Sequence, residues 1–296
     1  MKKKNSEEWL NRLNIEFYDK AGFLLSKNYP ELINKEKELE KYLKSNYYGY
    51  YGFSQLMPVF FSFCLDTYLC LANRKIKNLP YKNILYNIIH IPTFWRLRAS
   101  YIIFWQGYYV SAADLLRGVI ENLFTIIAVE NNLISENDAL MYYTDMSENE
   151  ELTYEEMDKR IRKTNSIIGN ALYGKDSKLS VKTKKIIKET IIKNLHNCVH
   201  KSINAIALYT RDWINGAPFP IFPKYHQDLS RLYSNTAFLF GWIFVRTLPL
   251  LQLEENEFSK EWKEKYQVLD KLFKDIIDSI PLEFARAGEE FVSLYL

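Results

Sequence analysis

Glycine and proline are the residues that most often interrupt regular structure. This chain holds only ten and nine of them in 296 residues. Its elements must therefore be long and unbroken, which favours helices. No segment sustains the apolar–polar alternation of a half-buried strand, whereas apolar residues recur at helical spacing along most of the chain. With 48% apolar residues there is ample material for a core. The fold class expected is all-α, a multi-helix bundle.

Charge and cysteine usage exclude little. A net charge of +3 does not by itself imply a nucleic-acid partner, because clustering matters more than the sum. Cys64, Cys70 and Cys198 fit reduced thiols, and the first two sit in an apolar run where cysteine acts as a small hydrophobe. The basic start Met1-Lys2-Lys3-Lys4 leads into polar sequence with no apolar signal region, so a cytoplasmic protein is expected. The best membrane candidate is 53–72. A charge such as Asp66 near its centre costs about 2.5–3.5 kcal/mol in lipid, so this segment reads as a buried core helix and no membrane span is expected.

Along the chain, 5–27 has the pattern of an amphipathic helix through Trp9, Leu13, Phe17, Phe23 and Leu24. A charged exposed helix over 31–45 follows. The tyrosine- and glycine-rich 46–52 reads as a loop, and Tyr81 to His90 as a short helix ending before Pro92. Thr93 to Asn131 is the longest periodic stretch, with a turn expected near Gly107. Trp95, Trp105, Tyr108 and Tyr109 within it read as core residues, and His90 as a hydrogen-bonded boundary residue. Ser180 is an expected N-cap for a helix reaching to about Asn215. Gly216 to Pro223 must be a loop. Further helices are expected over 227–253, with a break near Pro249, and on either side of Pro281. Three regions result: an N-terminal helical region over 1–90, a core over 91–253 and C-terminal helices over 254–296, expected to form one compact domain.

Two stripes concentrate ionisable groups. At 100° per residue, Glu189, Lys193, His196 and His200 fall in one stripe about 60° wide, beside an apolar stripe of Ile192, Leu195, Val199, Ile203 and Ile206. Three readings are open for it: boundary residues hydrogen-bonded to neighbours, a cation and base for RNA cleavage, or a metal site using His196 and His200. The glutamate that follows the first histidine in zinc proteases is missing. On 114–130, Asp114, Arg117, Glu121 and Thr125 share a polar face opposite Leu116, Val119, Ile120, Leu123 and Ile127. An Arg117–Glu121 ion pair on a solvent face competes with a stripe turned toward the histidine helix. No Gly-rich phosphate loop, Cys-x-x-Cys or Gly-x-Ser-x-Gly occurs, so no cofactor is expected.

The run Arg98 to Glu121, with Leu115-Leu116-Arg117-Gly118-Val119-Ile120-Glu121 after a glycine-terminated helix, resembles HEPN-like helical proteins of bacterial defence and toxin systems. Lys193-Asn194, five further residues and His200 are similar to the ribonuclease motif of that family, with Lys193 where the family has arginine. The likeness covers roughly 93–250. It implies a four-helix core with extra terminal helices, assembled as a homodimer, that cleaves RNA without metal through the ribose 2′-hydroxyl. His200 would be the general base or acid, and Lys193 with Arg117 would stabilise the phosphorane-like transition state. Asn194 and His196 would support them, with Glu189 or Glu121 orienting the histidine. Lys182, Lys184, Lys185 and Lys188 would draw RNA to the site. The likeness also implies, as an alternative, a non-catalytic relative that holds a partner protein or antitoxin.

Overall fold

A computed structural model describes residues 33–43, 48–72, 80–140, 153–199, 227–253, 257–277 and 280–296. Among the described residues every regular element is helical. In chain order these are α1 (residues 33–43), α2 (Tyr48–Leu71), α3 (Tyr81–Trp105), α4 (Tyr109–Glu130), α5 (Glu136–Leu140) and α6 (Tyr154–Leu172). Then come α7 (Val181–Lys185), a π-helical segment (Ile186–Ile192) and α8 (Lys193–Val199), wound as one rod. The series closes with α9 (Gln227–Thr247), α10 (Lys260–Ile277) and α11 (Leu282–Tyr295).

The centre of the bundle is α4. Its apolar face is fully buried at Leu116, Val119, Ile120, Leu123 and Ile127, as the periodicity predicts. Toward its C-terminus the burial spreads to every side, because α3, α6, α8 and α9 all pack on it. The turn between α3 and α4 is made by Gly107 at φ 86°, a conformation that costs glycine little and other residues much. Aromatic edges fill the space between helices. Phe60 of α2 meets Phe244 of α9 at 5.4 Å and Phe273 of α10 at 5.7 Å, both edge-on.

A line of satisfied polar groups runs along the α3 side of this core. Ser100 donates to the Ala112 carbonyl at 2.7 Å and shares a 2.6 Å hydrogen bond with the Tyr233 hydroxyl. Asn122 donates to Thr93 at 2.8 Å, and Thr93 donates to the Ile89 carbonyl at 2.6 Å. At the end of α4, Glu130 accepts from Tyr86 at 2.5 Å and from Lys82 at 2.8 Å. The buried hydrogen bonds in this line fix one register between helices.

Several expectations change. The segment 46–52 is not wholly loop, because α2 is already helical from Tyr48. α3 passes through Pro92 without ending, so the boundary expected at residue 90 falls inside a continuous helix. Pro92 sits on the exposed side and leaves the Ile88 carbonyl without its backbone N–H, while the neighbouring Ile89 carbonyl accepts from the Thr93 hydroxyl. α1 is not simply exposed: Leu43 is fully buried and Glu36 accepts from the Tyr108 hydroxyl at 2.7 Å. Cys64 is buried, and burial pushes its thiol up, but Cys70 is exposed. Trp105 and Tyr109 are core residues, whereas Trp95 is half exposed.

His90 departs most from expectation. It is fully buried and stands edge-on to Phe244 at 5.0 Å; neither ring nitrogen makes a well-formed hydrogen bond among the described residues, though the Thr247 backbone lies near enough to oppose the effect of burial. Burial drives its pKa down to about 3, so it is neutral in the fold. The helix Ser54–Leu71 is, among the described residues, long and apolar enough to cross a membrane. It packs on α3, α9 and α10 and buries Met57, Phe60 and Cys64. The amphipathic segment 5–27 and the loop 216–223 lie outside the described residues.

Candidate functional site

The rod that carries the first stripe begins at Ser180, as its residue type predicts. The Ser180 side chain accepts from the Thr183 backbone N–H at 3.3 Å, an N-cap. A second cap comes from far along the chain. Glu290 of α11 accepts from the Ser180 backbone N–H, from the Ser180 hydroxyl at 2.8 Å and from the Thr183 hydroxyl at 2.6 Å. Partial burial raises the Glu290 carboxyl, but these hydrogen bonds and nearby Lys184 outweigh it and hold the group below the usual carboxylate range. A carboxylate at a helix N-terminus is also favoured by the helix dipole.

Beyond Lys185 the rod widens into π-helix for seven residues, Ile186–Ile192. Such segments are rare and often mark functional positions. This one changes the geometry assumed from sequence. A uniform 100° per residue places Ile192 with Leu195 on the buried side. In the structure Ile187, Ile191 and Leu195, four apart, are buried, and Ile192 is only partly so. Wider turns keep residues four apart in line, where an α-helix would rotate them steadily. α8 rests on α4.

The outward side then presents Lys193, Asn194 and His196, all exposed. The Lys193 ammonium pairs with Glu189 at 3.1 Å, with side chains 65% and 43% accessible. Asn194 donates its amide to the Thr190 carbonyl at 2.7 Å, one turn back. Lys182, Lys185 and Lys188 are exposed and Lys184 is half-buried, so the same rod carries a basic edge ahead of the motif. His200 lies outside the described residues, as do Ile203 and Ile206 and the side chain of Val199.

Arg117 and Glu121 form the expected pair on α4, Nε to Oε1 at 2.8 Å. Arg117 is 23% accessible and Glu121 is 55%. Beside them stands Tyr173, at the end of α6. Burial first, then the Glu121 charge, raises its phenol, and Arg117 acts against both. The rest of the α4 polar face divides. Asp114 is exposed, while Thr125 is buried and donates to the Glu121 carbonyl at 2.9 Å. The stripe is thus solvent-facing at one end and absorbed by helix packing at the other. Neither Tyr173 nor Glu290 is legible as a site residue in sequence, because both arrive from distant helices.

Among the described residues no three His, Cys, Asp or Glu side chains gather in a way that could hold a metal ion. A separate groove of about 530 Å³ lies between α2 and α10, lined by Val59, Phe63, Val268 and Leu272 with Asp66 and Lys265. No family model, curated protein or solved structure matches this chain.

Proposed function

We propose that this protein is a metal-independent endoribonuclease of a bacterial defence or toxin system, acting in the cytoplasm. The supporting observation is the rod from Ser180 to Val199. One helix offers exposed Lys182, Lys185 and Lys188, and, after a π-helical segment, exposed Lys193, Asn194 and His196. A polyanion drawn to the first set is delivered along the same helix to the second. His200 is the proton-transfer group in this reading, and Lys193 the cation that meets phosphate charge as it develops. Arg117 and Glu121 lie on α4, the helix that α8 packs against.

One observation favours a second reading, a non-catalytic module that holds a partner protein. The Lys193 ammonium is engaged by Glu189 at 3.1 Å, and a lysine lacks the bidentate phosphate grip of a guanidinium. A single experiment separates the two. The chain is incubated with total RNA in EDTA, as wild type, His200→Ala and Lys193→Arg, each checked for folding by circular dichroism. The nuclease reading expects cleavage by the wild type, its loss in His200→Ala and an increase in Lys193→Arg. Folded proteins that leave RNA intact in all three cases support the binding module. Cleavage that EDTA abolishes contradicts the metal-independent mechanism.

A further inference from the structure

Basic and acidic residues nearly balance in this chain, 39 against 36, yet no acidic residue occurs between Asp66 and Asp114. The same stretch carries Arg74, Lys75, Lys77, Lys82, Arg96 and Arg98. It takes in the end of α2, all of α3 and the first turn of α4. Arg74, Lys75 and Lys77 fall in the sequence that joins α2 to α3, outside the described residues.

The outer side of these two helices is apolar where solvent should favour charge. Leu65 and Leu69 on α2 are 39% and 68% accessible, and Ile91, Trp95 and Ile102 on α3 are 42%, 50% and 42%. With exposed Arg98, the α3 residues are spaced four, three and four apart, a stripe about 60° wide. The helices run antiparallel, since Phe61 meets Tyr101 at 5.4 Å and Tyr68 meets Phe94 at 5.5 Å. Leu65 lies between those two contacts, so the leucines and the α3 stripe form one strip. The Arg98 guanidinium lies 5.8 Å from the Trp95 ring centroid. The other described charges of this stretch turn elsewhere. The Arg96 guanidinium lies against Gly118 of α4, and Lys82 pairs with Glu130 at 2.8 Å. Asp66 lines the groove on the α10 side of α2.

Contiguous exposed apolar residues mark interaction surfaces. We propose that this strip docks, without spanning, on an anionic lipid bilayer. Its aliphatic side chains and the Trp95 ring enter the headgroup boundary. Arg98 lays its stem along the strip and offers its guanidinium to lipid phosphate. Anionic headgroups meet no acid along α3 to repel them. The residue types favour lipid over RNA: bases stack on aromatic faces, and Trp95 alone among the exposed apolar residues of the strip supplies one. The proposal stands apart from the nuclease reading, because α3 and the motif on α8 are separate helices that both pack on α4.

Flotation with vesicles tests it, using phosphatidylcholine alone and phosphatidylcholine with phosphatidylglycerol. The wild type is expected to float with the anionic vesicles, less so as salt rises, and to bind neutral ones at least about tenfold more weakly. Trp95→Ala and Arg98→Glu are each expected to weaken anionic binding at least about fivefold, and Arg98→Lys to retain it. Lys260→Glu makes the same charge change on α10, at a side chain 92% accessible, and should float like the wild type. Circular dichroism checks that each variant folds. A wild type that floats with neither vesicle overturns the proposal. So does Lys260→Glu losing as much as Arg98→Glu, or Trp95→Ala floating as well as the wild type. Two other results assign the strip elsewhere and also overturn it. One is RNA binding, without vesicle binding, that Arg98→Glu abolishes. The other is a dimer in sedimentation velocity, without vesicle binding, that Trp95→Ala disperses.

Discussion

Glu290 sits over the start of the helix that begins at Ser180, taking the Ser180 hydroxyl at 2.8 Å from a position 110 residues further along the chain. The last helix of the protein thereby fixes the first turn of the rod that carries Lys193 and His196. Glu290→Ala is expected to cost about 0.5–2 kcal/mol, the usual range for a lost helix cap. The carboxyl is depressed in the fold, so its contribution is full above the unfolded pKa and fades as pH falls through the lower folded value. Urea denaturation of both proteins at pH 7 and pH 3 checks this. The gap between them should shrink at the lower pH.

Buried His90 works in the opposite sense from a stabilising ion pair. Its folded pKa near 3 lies below the ordinary histidine value of about 6.5. The unfolded chain therefore binds the extra proton, and stability is complete above pH 6.5 and lost as pH falls toward 3. The slope is on the order of 1.4 kcal/mol per pH unit while only the unfolded state titrates. His90→Leu removes this term. Thermal melts between pH 7.5 and 5 should show a shallower fall for the variant than for wild type. Equal slopes would remove His90 as the cause.

Two glycines that face other helices should respond to alanine with opposite signs. At Gly288 a Cβ would stand 2.5 Å from the Leu239 Cδ1 methyl, which is locked in the core. Gly288→Ala is expected to destabilise by about 1–3 kcal/mol through overpacking of α9 on α11. At Gly118 the obstacle is the Arg96 guanidinium, the tip of a flexible chain that can swing to solvent. Gly118→Ala should then gain up to about 1 kcal/mol of helix propensity. Chemical denaturation of the pair decides the matter.

Trp262 donates its indole N–H to the Thr67 hydroxyl at 2.8 Å, and Thr67 in turn donates to the Phe63 carbonyl at 2.8 Å. Thr67→Val keeps the shape and removes both bonds. It leaves the indole without this acceptor between α2 and α10, at an expected cost of about 1–3 kcal/mol. Thr67→Ser keeps the hydroxyl and should recover most of that loss. Denaturation midpoints for the two variants give the comparison.

The helical class, the turn at Gly107 and the N-cap at Ser180 are legible in sequence because each depends on local chemistry. The buried face of α4 is legible for the same reason, since one period describes the whole helix. Pro92 misleads because tertiary packing carries α3 past it and a threonine hydroxyl occupies a nearby carbonyl. His90 misleads because histidine type says nothing of whether partners stand nearby. The exposed Trp95 and Cys70 show that an apolar run marks a helix without saying which of its sides is covered. At the candidate site, the residue types Lys193, Asn194 and His196 are visible from sequence. Their facing is not, because it depends on a change of winding just before them.

That change of winding has a consequence for how the chain tolerates length changes. Between Ile186 and Ile192 each turn holds one residue more than an α-helix requires. The surplus acts as a phase setting between the lysine edge upstream and the motif downstream. A one-residue deletion within it could be absorbed by returning to ordinary α winding, with little loss of contact at either end. Everything from Lys193 onward would keep nearly its present facing, because the wider turns hold one residue more while sweeping nearly the same angle, and Leu195 would stay buried. This short span is therefore a place where the chain can lose one residue and keep both its packing and the direction in which Lys193 and His196 face.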